Sequence, residues 1–295
     1  MTSVVFGARG QFGKIIKILN AAADIKDVLY VSHSNYNYIS PNGAIVWDFC
    51  DVGFLQSVFS DFLIDRVYYF SACHASHMLS GIDIKENELM HINYSALKHV
   101  ISALLPHRSC DIVYFGSSQM YKFQGIDEPI FVDRKFNPST IYGQSKVAAF
   151  RWLENCCAEN INPYLFICCN HTSSHQSKKF LIPRLVSDMV NGKDISIENP
   201  MARIDLGSAE ELIFSVIEKL NENRPGRYIC GTGNSFSIKE IIDILAEKTK
   251  YRGNLSYCNP QAVPSCIAGQ ASSRWINTGT KGLLTMLDEM VTNVF

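Results

Sequence analysis

The feature that most constrains the fold is an alternation of short apolar runs with amphipathic stretches of helical length. Amphipathic stretches lie between several of the apolar runs. The clearest is residues 85–105, in which apolar residues recur at spacings of three and four. The runs are rich in β-branched and aromatic residues and occur at 3–6, 28–32, 44–47, 66–70, 111–115 and 163–168. Strands that alternate with helices indicate a parallel sheet built from right-handed β-α-β units. The sequence therefore predicts an α/β fold with a doubly wound, parallel sheet.

The chain changes in character after residue 170. Polar, loop-like sequence at 171–179 precedes predicted helices at 180–191, 208–220 and 281–291 and predicted strands at 194–197 and 227–230. Ser237 is predicted to cap a further helix that ends at residue 248, with Glu240 as its capping-box partner. We predict a larger domain over residues 1–169, to which 204–229 returns, and a smaller α/β lobe formed by 170–203 and 230–295. A ligand is expected in the cleft between them.

Composition excludes several classes of function. The 295 residues carry a formal net charge of −1 without a basic block, which argues against nucleic-acid or membrane-surface binding. No apolar run approaches the roughly 20 residues that span a bilayer, and the N-terminus lacks a secretory signal, so we expect a cytoplasmic protein.

None of the ten cysteines forms a C-x-x-C motif. They are predicted to be reduced, buried thiols, with a metal or redox role as the alternative; no metal site is predicted.

A glycine-rich turn follows the first predicted strand at once. Gly7, Gly10 and Gly13 have the spacing G-x-x-G-x-x-G, with Gln11 and Phe12 inside the turn, and a helix begins there. Glycines let the backbone turn sharply and approach a pyrophosphate, and the helix N-terminus offers N–H groups to the anion. The turn predicts a dinucleotide site; the alternative is a purely structural turn.

Charge indicates which dinucleotide binds. An acid at the end of the second strand would bind the ribose of NAD and repel the 2′-phosphate of NADP. Here that strand ends at Ser32 and His33, and Arg9 lies in the glycine turn, so we predict NADP(H), with NAD possible. Arg9 has the alternative of a solvated loop side chain. Asp48 and Phe49, after the third strand, are predicted to meet the adenine ring, although Asp48 would also suit a helix N-cap.

A candidate catalytic group follows in the chain. Tyr142 and Lys146 are four residues apart at the start of a predicted helix and so share one face. A free tyrosine titrates near pH 10, and an ammonium one turn away stabilises its phenolate for acid–base chemistry at neutral pH. Ser117, directly after the fifth strand, offers a hydroxyl to a substrate carbonyl.

The early glycine turn, the S-S-x-x-Y segment at 117–121 and the Y-x-x-x-K motif at 142–146 together resemble the extended short-chain dehydrogenase/reductase family of nucleotide-sugar epimerases, dehydratases and reductases. The resemblance implies a Rossmann-type fold, a small nucleotide-sugar substrate and a homodimer formed through the helices at 85–105 and 141–159. It implies Ser117, Tyr142 and Lys146 as the catalytic trio, supported by Asn93, which would otherwise be an ordinary helix-surface residue. Ser71 and Ala72, after the fourth strand, are expected to contact the cofactor.

The C-terminal half narrows the resemblance. Segments 170–172, 180–184 and 202–209 are similar to GDP-mannose 4,6-dehydratases and GDP-4-keto-6-deoxy-mannose reductases. This implies that Asn170, Arg184 and Arg203 grip the sugar nucleotide, with Ser118 and Gln119 also contacting substrate. Arginine suits a diphosphate because it supplies paired donors. The alternative for Arg203 is a structural ion pair with Asp205.

Two departures from these relatives affect the predicted chemistry. The dehydratases carry a glutamate where this chain has Gln119, and an amide cannot shuttle the C5 proton. Epimerising reductases use a cysteine there and a histidine where this chain has Phe180, which leaves only His171 or His175 as substitutes. The segment at 259–264 also lacks the Arg and Glu with which these relatives contact phosphate and ribose, which weakens the prediction of a GDP-linked substrate.

The main hypothesis is an NADPH-dependent reductase of a 4-keto-6-deoxy or 4-keto heptose nucleotide sugar, GDP-linked, in polysaccharide biosynthesis, with hydride transfer to C4 and Tyr142 as the acid. The alternative is a nucleotide-sugar epimerase or 4,6-dehydratase with tightly bound NAD(P). The non-enzymatic alternative is a dinucleotide-sensing scaffold. Retention of Ser117, Tyr142 and Lys146 argues against the scaffold, because sensing a dinucleotide needs only the glycine turn.

Overall fold

The computed structural model describes residues 2–23, 27–34, 37–39, 45–73, 86–104, 109–156, 160–261 and 263–293. Its strands are β1 (Thr2–Phe6), β2 (Val28–His33), β3 (Tyr38–Ile39), β4 (Ile45–Trp47), β5 (Ile64–Tyr69), β6 (Cys110–Ser117), β7 (Glu128–Ile130), β8 (Ile161–Cys168), β9 (Asn170–Thr172), β10 (Ile195–Ile197), β11 (Arg203–Ile204), β12 (Leu206–Ser208), β13 (Gly226–Gly231), β14 (Phe236–Ser237), β15 (Leu255–Tyr257), β16 (Cys266–Ala268) and β17 (Trp275–Asn277). Its α-helices are α1 (Gln11–Ala22), α2 (Val52–Phe59), α3 (Glu86–Met90), α4 (Ala96–Leu104), α5 (Ile141–Asn155), α6 (Leu181–Val190), α7 (Ala209–Asn221), α8 (Ile238–Thr249) and α9 (Gly282–Thr292).

The chain divides into two compact units. The first comprises Met1–Tyr121, Phe136–Phe166 and Lys219–Arg227, and the second comprises Lys122–Lys135, Ile167–Glu218 and Tyr228–Phe295. The predicted boundaries differ: they place 167–169 and 228–229 in the larger domain and, above all, the two segments 122–135 and 204–218. The reason is strand pairing: β7 runs parallel to β16, and β12 runs parallel to β9, so both segments belong with the second unit.

The first unit contains a parallel sheet with the strand order β8-β6-β5-β1-β2-β4-β3. Parallel pairing joins β1 to β2 and β5, β2 to β4, and β5 to β6; the short β3 is antiparallel to β4. Val4, Val5 and Phe6 of β1 are completely buried, as expected for a strand covered on both faces. Helix α5 packs on β6, and α2 packs on α4. This is the predicted Rossmann-type α/β fold.

The predicted helix at 85–105 contains a π-helical turn, His91–Ser95, between α3 and α4. Of its predicted apolar face, Leu89, Ala96, Val100 and Leu104 are buried. A π-turn shifts the residues after it around the helix axis, and such turns are frequent at functional sites. Residues 44, 85, 105 and 157–159 of the predicted elements lie outside the described residues.

The second unit is built around helices α6, α8 and α9, whose apolar faces share one core cluster. Its short strands form the pairs β7–β16, β9–β12, β10–β15, β11–β14 and β13–β17. The predicted capping box at the start of α8 is confirmed: Ser237 Oγ accepts from Glu240 N at 3.1 Å, and Glu240 Oε2 accepts from Ser237 N at 2.6 Å. The helix begins there because both orphan amides are satisfied.

Large exposed side chains bear on the predicted homodimer, which stays a prediction. The exposed large hydrophobic residues in the described ranges are Ile18, Tyr38, Ile39, Phe62, Leu63, Ile126, Met201, Phe214, Tyr257, Val263 and Leu284. None of these belongs to α3, α4 or α5, the helices predicted to form the interface.

Within the described ranges, no helix combines the length and the apolar character that crossing a membrane requires.

Candidate active site

The glycine turn connects β1 to α1 in a conformation that only glycine suits at its first position. Gly7 has φ +80°, and a Cβ atom there would lie 2.8 Å from the backbone of Phe70 and Ser71. A Cβ atom on Gly13 would lie 2.5 Å from the carbonyl oxygen of Gly7. Helix α1 can therefore begin directly against the end of β1 only because both positions lack side chains.

The start of α1 fits an anionic group. Its N-cap is Gly10, which offers no side chain to the orphan amides, and its first turn contains no acidic residue. The dipole of a helix favours a negative charge at its N-terminus, as the pyrophosphate of a dinucleotide requires. Arg9 is exposed and Gln11 is half-buried. Phe12 packs edge-on against Phe115, with ring centroids 4.8 Å apart, and so anchors the turn.

The ends of β2 and β4 form the predicted adenosine site. Ser32 is buried, whereas His33 is exposed and stacks on Phe49, with ring centroids 4.2 Å apart and planes 7° apart. Asp48 Oδ1 accepts from the amides of Cys50 and Asp51 at 2.9 and 3.1 Å. Burial raises the pKa of the Asp48 carboxyl, but these hydrogen bonds outweigh it, so its pKa lies below the ordinary value.

The alternative role of Asp48 as a helix N-cap is wrong. Helix α2 is capped by Asp51, whose Oδ1 accepts from Phe54 N at 2.8 Å. Asp51 sits one residue before the helix and its carboxylate reaches the third amide, which is the geometry a cap needs. Asp48 lies three residues too early and closes a turn instead.

Asn93 is completely buried, so its description as an ordinary helix-surface residue is wrong. Its Oδ1 accepts from Cys73 N at 2.8 Å, and its Nδ2 donates to Cys73 O at 3.0 Å and to Ser145 Oγ at 2.9 Å. Ser145 Oγ in turn donates to Tyr142 O at 2.8 Å. Asn93 therefore ties the segment after β5, where Ser71 is buried and Ala72 exposed, to the first turn of α5.

Lys146 lies deep in the first unit, with only 3% of the residue exposed. Its Nζ donates to Phe115 O at 3.0 Å and lies 4.8 Å from the ring centroid of Tyr114 and 5.8 Å from that of Tyr142. Burial, together with Tyr142 nearby, raises the pKa of Tyr114 well above its ordinary value. Tyr114 therefore stays protonated, and the half-buried Tyr142 is the tyrosine beside Lys146 that suits acid–base chemistry.

A chain of contacts connects Ser117 to the start of α5. Ser117 Oγ accepts from Gln119 N at 3.2 Å, and Gln119 Oε1 accepts from Thr140 Oγ1 at 3.3 Å. Thr140 caps α5 by accepting from Gly143 N at 3.0 Å. A Cβ atom on Gly143 would overlap the carbonyl oxygen of Gln119, so α5 approaches Ser117 and Ser118 only because glycine follows Tyr142.

Sequence reasoning missed Thr140, Gly143 and Ser145 in this site. Thr140 carried a usable signal, since a threonine just before a predicted helix is a common N-cap. Gly143 and Ser145 carried none, because their roles depend on Gln119 and Asn93, which are distant in the sequence.

Three of the five predicted substrate residues, Asn170, Arg184 and Arg203, lie in the second unit, whereas Ser118 and Gln119 lie in the first. Asn170, in β9, and Arg184, on α6, are exposed. Arg203 is partly buried and forms an ion pair with Asp127, Nε to Oδ2 at 3.1 Å. Its alternative pairing with Asp205 is wrong, because the Asp205 carboxylate is completely buried. It accepts hydrogen bonds from Thr232 N, Thr232 Oγ1, Gly233 N and Ala268 N.

His171 cannot serve as an exposed proton exchanger. Its Nδ1 donates to Cys169 O at 3.1 Å and its Nε2 accepts from Thr278 Oγ1 at 2.9 Å, a pattern that fits the neutral ring. Burial lowers the pKa of His171 to about 4. His175 is half-buried.

The cysteines of the described residues are mostly buried, and Cys157 lies outside those residues. Cys73, Cys110, Cys156, Cys168, Cys169, Cys230 and Cys266 are buried, whereas Cys50 and Cys258 are exposed. Burial raises the pKa of Cys110 to about 12, which makes it unreactive. No set of three or more His, Cys, Asp or Glu side chains in the described ranges is arranged to hold a metal ion.

Comparison with solved structures shows the same fold in several enzymes. The UDP-glucose 4-epimerase of Thermus thermophilus, solved with NAD, is 14% identical with a TM-score of 0.80, and the match covers 98% of this chain and 99% of that one. The UDP-N-acetylglucosamine 4-epimerase of Methanobrevibacter ruminantium is 17% identical, with a TM-score of 0.81 and coverage of 99% and 97%. The dTDP-glucose 4,6-dehydratase of Bacillus anthracis, also solved with NAD, is 13% identical, with a TM-score of 0.80 and coverage of 99% and 96%.

At these identities the likeness shows the fold alone. A search of curated protein sequences finds no match to this chain. Residues 3–233, however, match the family described as the NAD dependent epimerase/dehydratase family. This span is most of the chain, from β1 to the turn after β13. The chain therefore belongs to the NAD-dependent epimerase/dehydratase family.

Proposed function

We propose that this protein is an NAD(P)-dependent enzyme that oxidises and reduces a nucleotide sugar at C4, as an epimerase does. The observation that carries the proposal is the arrangement of the first turn of α5. There Lys146 is buried beside Tyr142, and Gln119 and Thr140 connect Ser117 to the same turn. Membership of the NAD-dependent epimerase/dehydratase family supports it.

Each residue has a distinct role in this proposal. Tyr142 takes a proton from the C4 hydroxyl or returns it, and the Lys146 ammonium stabilises the phenolate. Ser117 donates a hydrogen bond to the C4 oxygen, and Asn93 holds the turn that carries Tyr142. The glycine turn and α1 would hold the dinucleotide, which accepts and returns hydride when bound. Asn170, Arg184 and Arg203 would hold the diphosphate of the substrate.

Gln119 bears on the choice among the reactions of this family. Its side chain is an amide whose oxygen accepts from Thr140, so it cannot move a carbon-bound proton in a 4,6-elimination. C4 epimerisation needs no such group, since Tyr142 and the cofactor suffice for both half-reactions. The position therefore favours epimerisation over 4,6-dehydration.

A second candidate is the NADPH-dependent reduction of a 4-keto-6-deoxy or 4-keto heptose nucleotide sugar, GDP-linked. The observation in its favour is that β2 ends at Ser32 and His33, without an acidic residue, and that Arg9 of the glycine turn is exposed. These neutral and positive groups favour the 2′-phosphate of NADP, and a reductase consumes that cofactor. It uses the same Tyr142, Lys146 and Ser117.

The experiment separates the two candidates by the fate of the cofactor. The purified protein is denatured and any released dinucleotide identified; fresh protein is then incubated with UDP-, dTDP-, CDP- and GDP-sugars. Interconversion of C4 epimers without net cofactor consumption supports the epimerase. NADPH oxidation that depends on a 4-keto-6-deoxy sugar supports the reductase. Dinucleotide binding without either reaction would overturn both and favour a scaffold. Light scattering tests the proposed homodimer.

A further inference from the structure

One edge of the Arg203 guanidinium is held by the protein itself. Nε donates to Asp127 Oδ2 at 3.1 Å and to Ser235 Oγ at 2.9 Å, and Nη2 donates to Ser235 O at 2.8 Å. Asp127, Arg203 and Ser235 all lie in the second unit, although they are far apart in sequence. The side-on fork of the guanidinium, formed by Nε and Nη2, is thus fixed.

Among the described residues, the opposite edge makes no hydrogen bond through Nη1 and forms only a long ion pair with Glu240. Nη1 lies 3.7 Å from Glu240 Oε2, beyond hydrogen-bond distance, and that carboxylate already accepts from Ser237 N at 2.6 Å. One third of the Arg203 side chain is exposed. A guanidinium has five N–H donors, so the end-on fork of Nη1 and Nη2 keeps donors for a bidentate anion. A ligand could therefore bind Nη1 and Nη2 of Arg203, while Nε and Nη2 are already held by Asp127 and Ser235.

Asp127 is built to hold that edge. Its backbone is left-handed, with φ +56°, and its amide donates to Ser265 Oγ at 2.9 Å. Its Oδ1 accepts from Ser265 Oγ at 2.9 Å, and its Oδ2 accepts from Ser235 Oγ at 2.6 Å. Burial raises the pKa of Asp127, but the hydrogen bonds from Ser235 and Ser265 and the Arg203 charge bring it below the ordinary value. The carboxylate is thus ionised, lies in a left-handed turn that aspartate tolerates, and accepts hydrogen bonds on both oxygens while it holds Arg203 Nε.

We infer that Asp127 is a positioning residue that holds Arg203 ready for the diphosphate of the substrate; this rests on the proposed function. An arginine that is already immobilised loses less side-chain entropy when the anion binds. The opposite possibility is that Asp127 competes with the anion as an internal counter-ion. The two possibilities predict opposite changes in anion affinity when the Asp127 carboxylate is removed. Removing a positioning group weakens anion binding, whereas removing a competitor strengthens it.

The test uses Asp127→Asn in the full chain. Asparagine tolerates a left-handed backbone, but it carries no charge, and when its single oxygen faces Ser265 its amide NH2 group faces Arg203. Arg203→Met removes the guanidinium. Asp133→Asn is the matched control, since Asp133 is exposed on the same segment. Calorimetry measures binding of UDP, GDP, dTDP and CDP, of the corresponding nucleosides, and of NAD(P).

We expect Asp127→Asn to weaken binding of the preferred nucleoside diphosphate by about five- to tenfold, the order of ordering one long side chain. Nucleoside and NAD(P) binding should stay unchanged, which a merely misfolded variant would not show. Adding Asp127→Asn to Arg203→Met should weaken binding no further, since the two act as one unit.

Two results would overturn the inference while the proposed function survives. In one, Asp127→Asn binds the diphosphate as the Asp133→Asn control does, or more tightly, while Arg203→Met weakens it. In the other, nucleoside binding falls as much as diphosphate binding, which marks a structural role. If the wild-type chain binds none of the four diphosphates, or if Arg203→Met has no effect, the proposed role of Arg203 in the substrate site is itself wrong.

Discussion

Two polar clusters, one around Asn93 and one around Arg203, bury their groups to different degrees. Around Asn93, in the first unit, the interacting side chains are neutral and completely buried, and each donor meets an acceptor on a neighbouring segment. Around Arg203, in the second unit, the groups are charged, and about a third of the Arg203 and Asp127 side chains is exposed.

The difference follows from the cost of burial. A neutral amide that makes all its hydrogen bonds can be buried at little cost, and it then fixes the segments it joins. A charged pair loses strong hydration when buried, so it is retained more easily where water still reaches it. The Asn93 cluster is therefore suited to holding a catalytic turn, and the Arg203 cluster to receiving a charged ligand.

The largest expected effect is on chemistry at the turn that Asn93 holds. Tyr142→Phe removes the acid–base hydroxyl, and turnover should fall by about 100- to 10,000-fold. Dinucleotide affinity and thermal stability should change little, because Tyr142 joins the cluster through its backbone carbonyl. Steady-state kinetics and a dinucleotide titration check this; turnover at the wild-type rate would remove Tyr142 from the mechanism.

The dependence of the free energy of unfolding on pH tests whether His171 is a neutral, buried group in the second unit. The pKa of His171 is lowered to about 4 by burial, against about 6.5 in an unfolded chain. Between these values the unfolded state binds the extra proton, so stability is full above about pH 6.5 and falls as the pH drops towards 4. Below about pH 4, the free energy of unfolding has fallen by about 3 kcal/mol through this histidine.

Urea denaturation at several pH values should show this dependence in the wild type. His171→Gln should flatten it, whereas His175→Gln, at a half-buried position, should leave it in place. An unchanged pH profile in His171→Gln would mean that other groups cause the acid sensitivity.

Truncating Asn93 should reveal how much the neutral cluster stabilises the fold. Asn93→Ala leaves the buried N–H and C=O of Cys73 without their partner, and we expect a loss of about 2 kcal/mol in the free energy of unfolding. Turnover should fall as well, because the α5 turn loses its tie to the segment after β5. Asn87→Ala, on the exposed side of α3, is the control and should be nearly neutral in urea denaturation.

The smallest expected effect is on stability at the charged cluster. Asp127→Asn should change the free energy of unfolding by less than about 1 kcal/mol, because ion pairs this exposed contribute little. The same denaturation experiment compares it with Asn93→Ala. A loss as large as that of Asn93→Ala would contradict the distinction between the two clusters.

Much of this protein follows from its sequence because the relevant patterns are local. The glycine turn, the strand runs, the capping box of Ser237 and Glu240, and the spacing of Tyr142 and Lys146 each span only a few residues. Backbone geometry and helical periodicity act over that distance, so a sequence that carries these signals specifies the elements and places the catalytic helix.

Tertiary structure decided how those elements meet. The π-helical turn carries Asn93 inward, where it bonds Ser145, 52 residues away. Arg203 pairs with Asp127 at a separation of 76 residues and not with Asp205 two residues on, because Asp205 is already taken by buried amides. Which polar groups pair depends on what the packed chain brings within hydrogen-bond distance once water is excluded, and no local pattern encodes that.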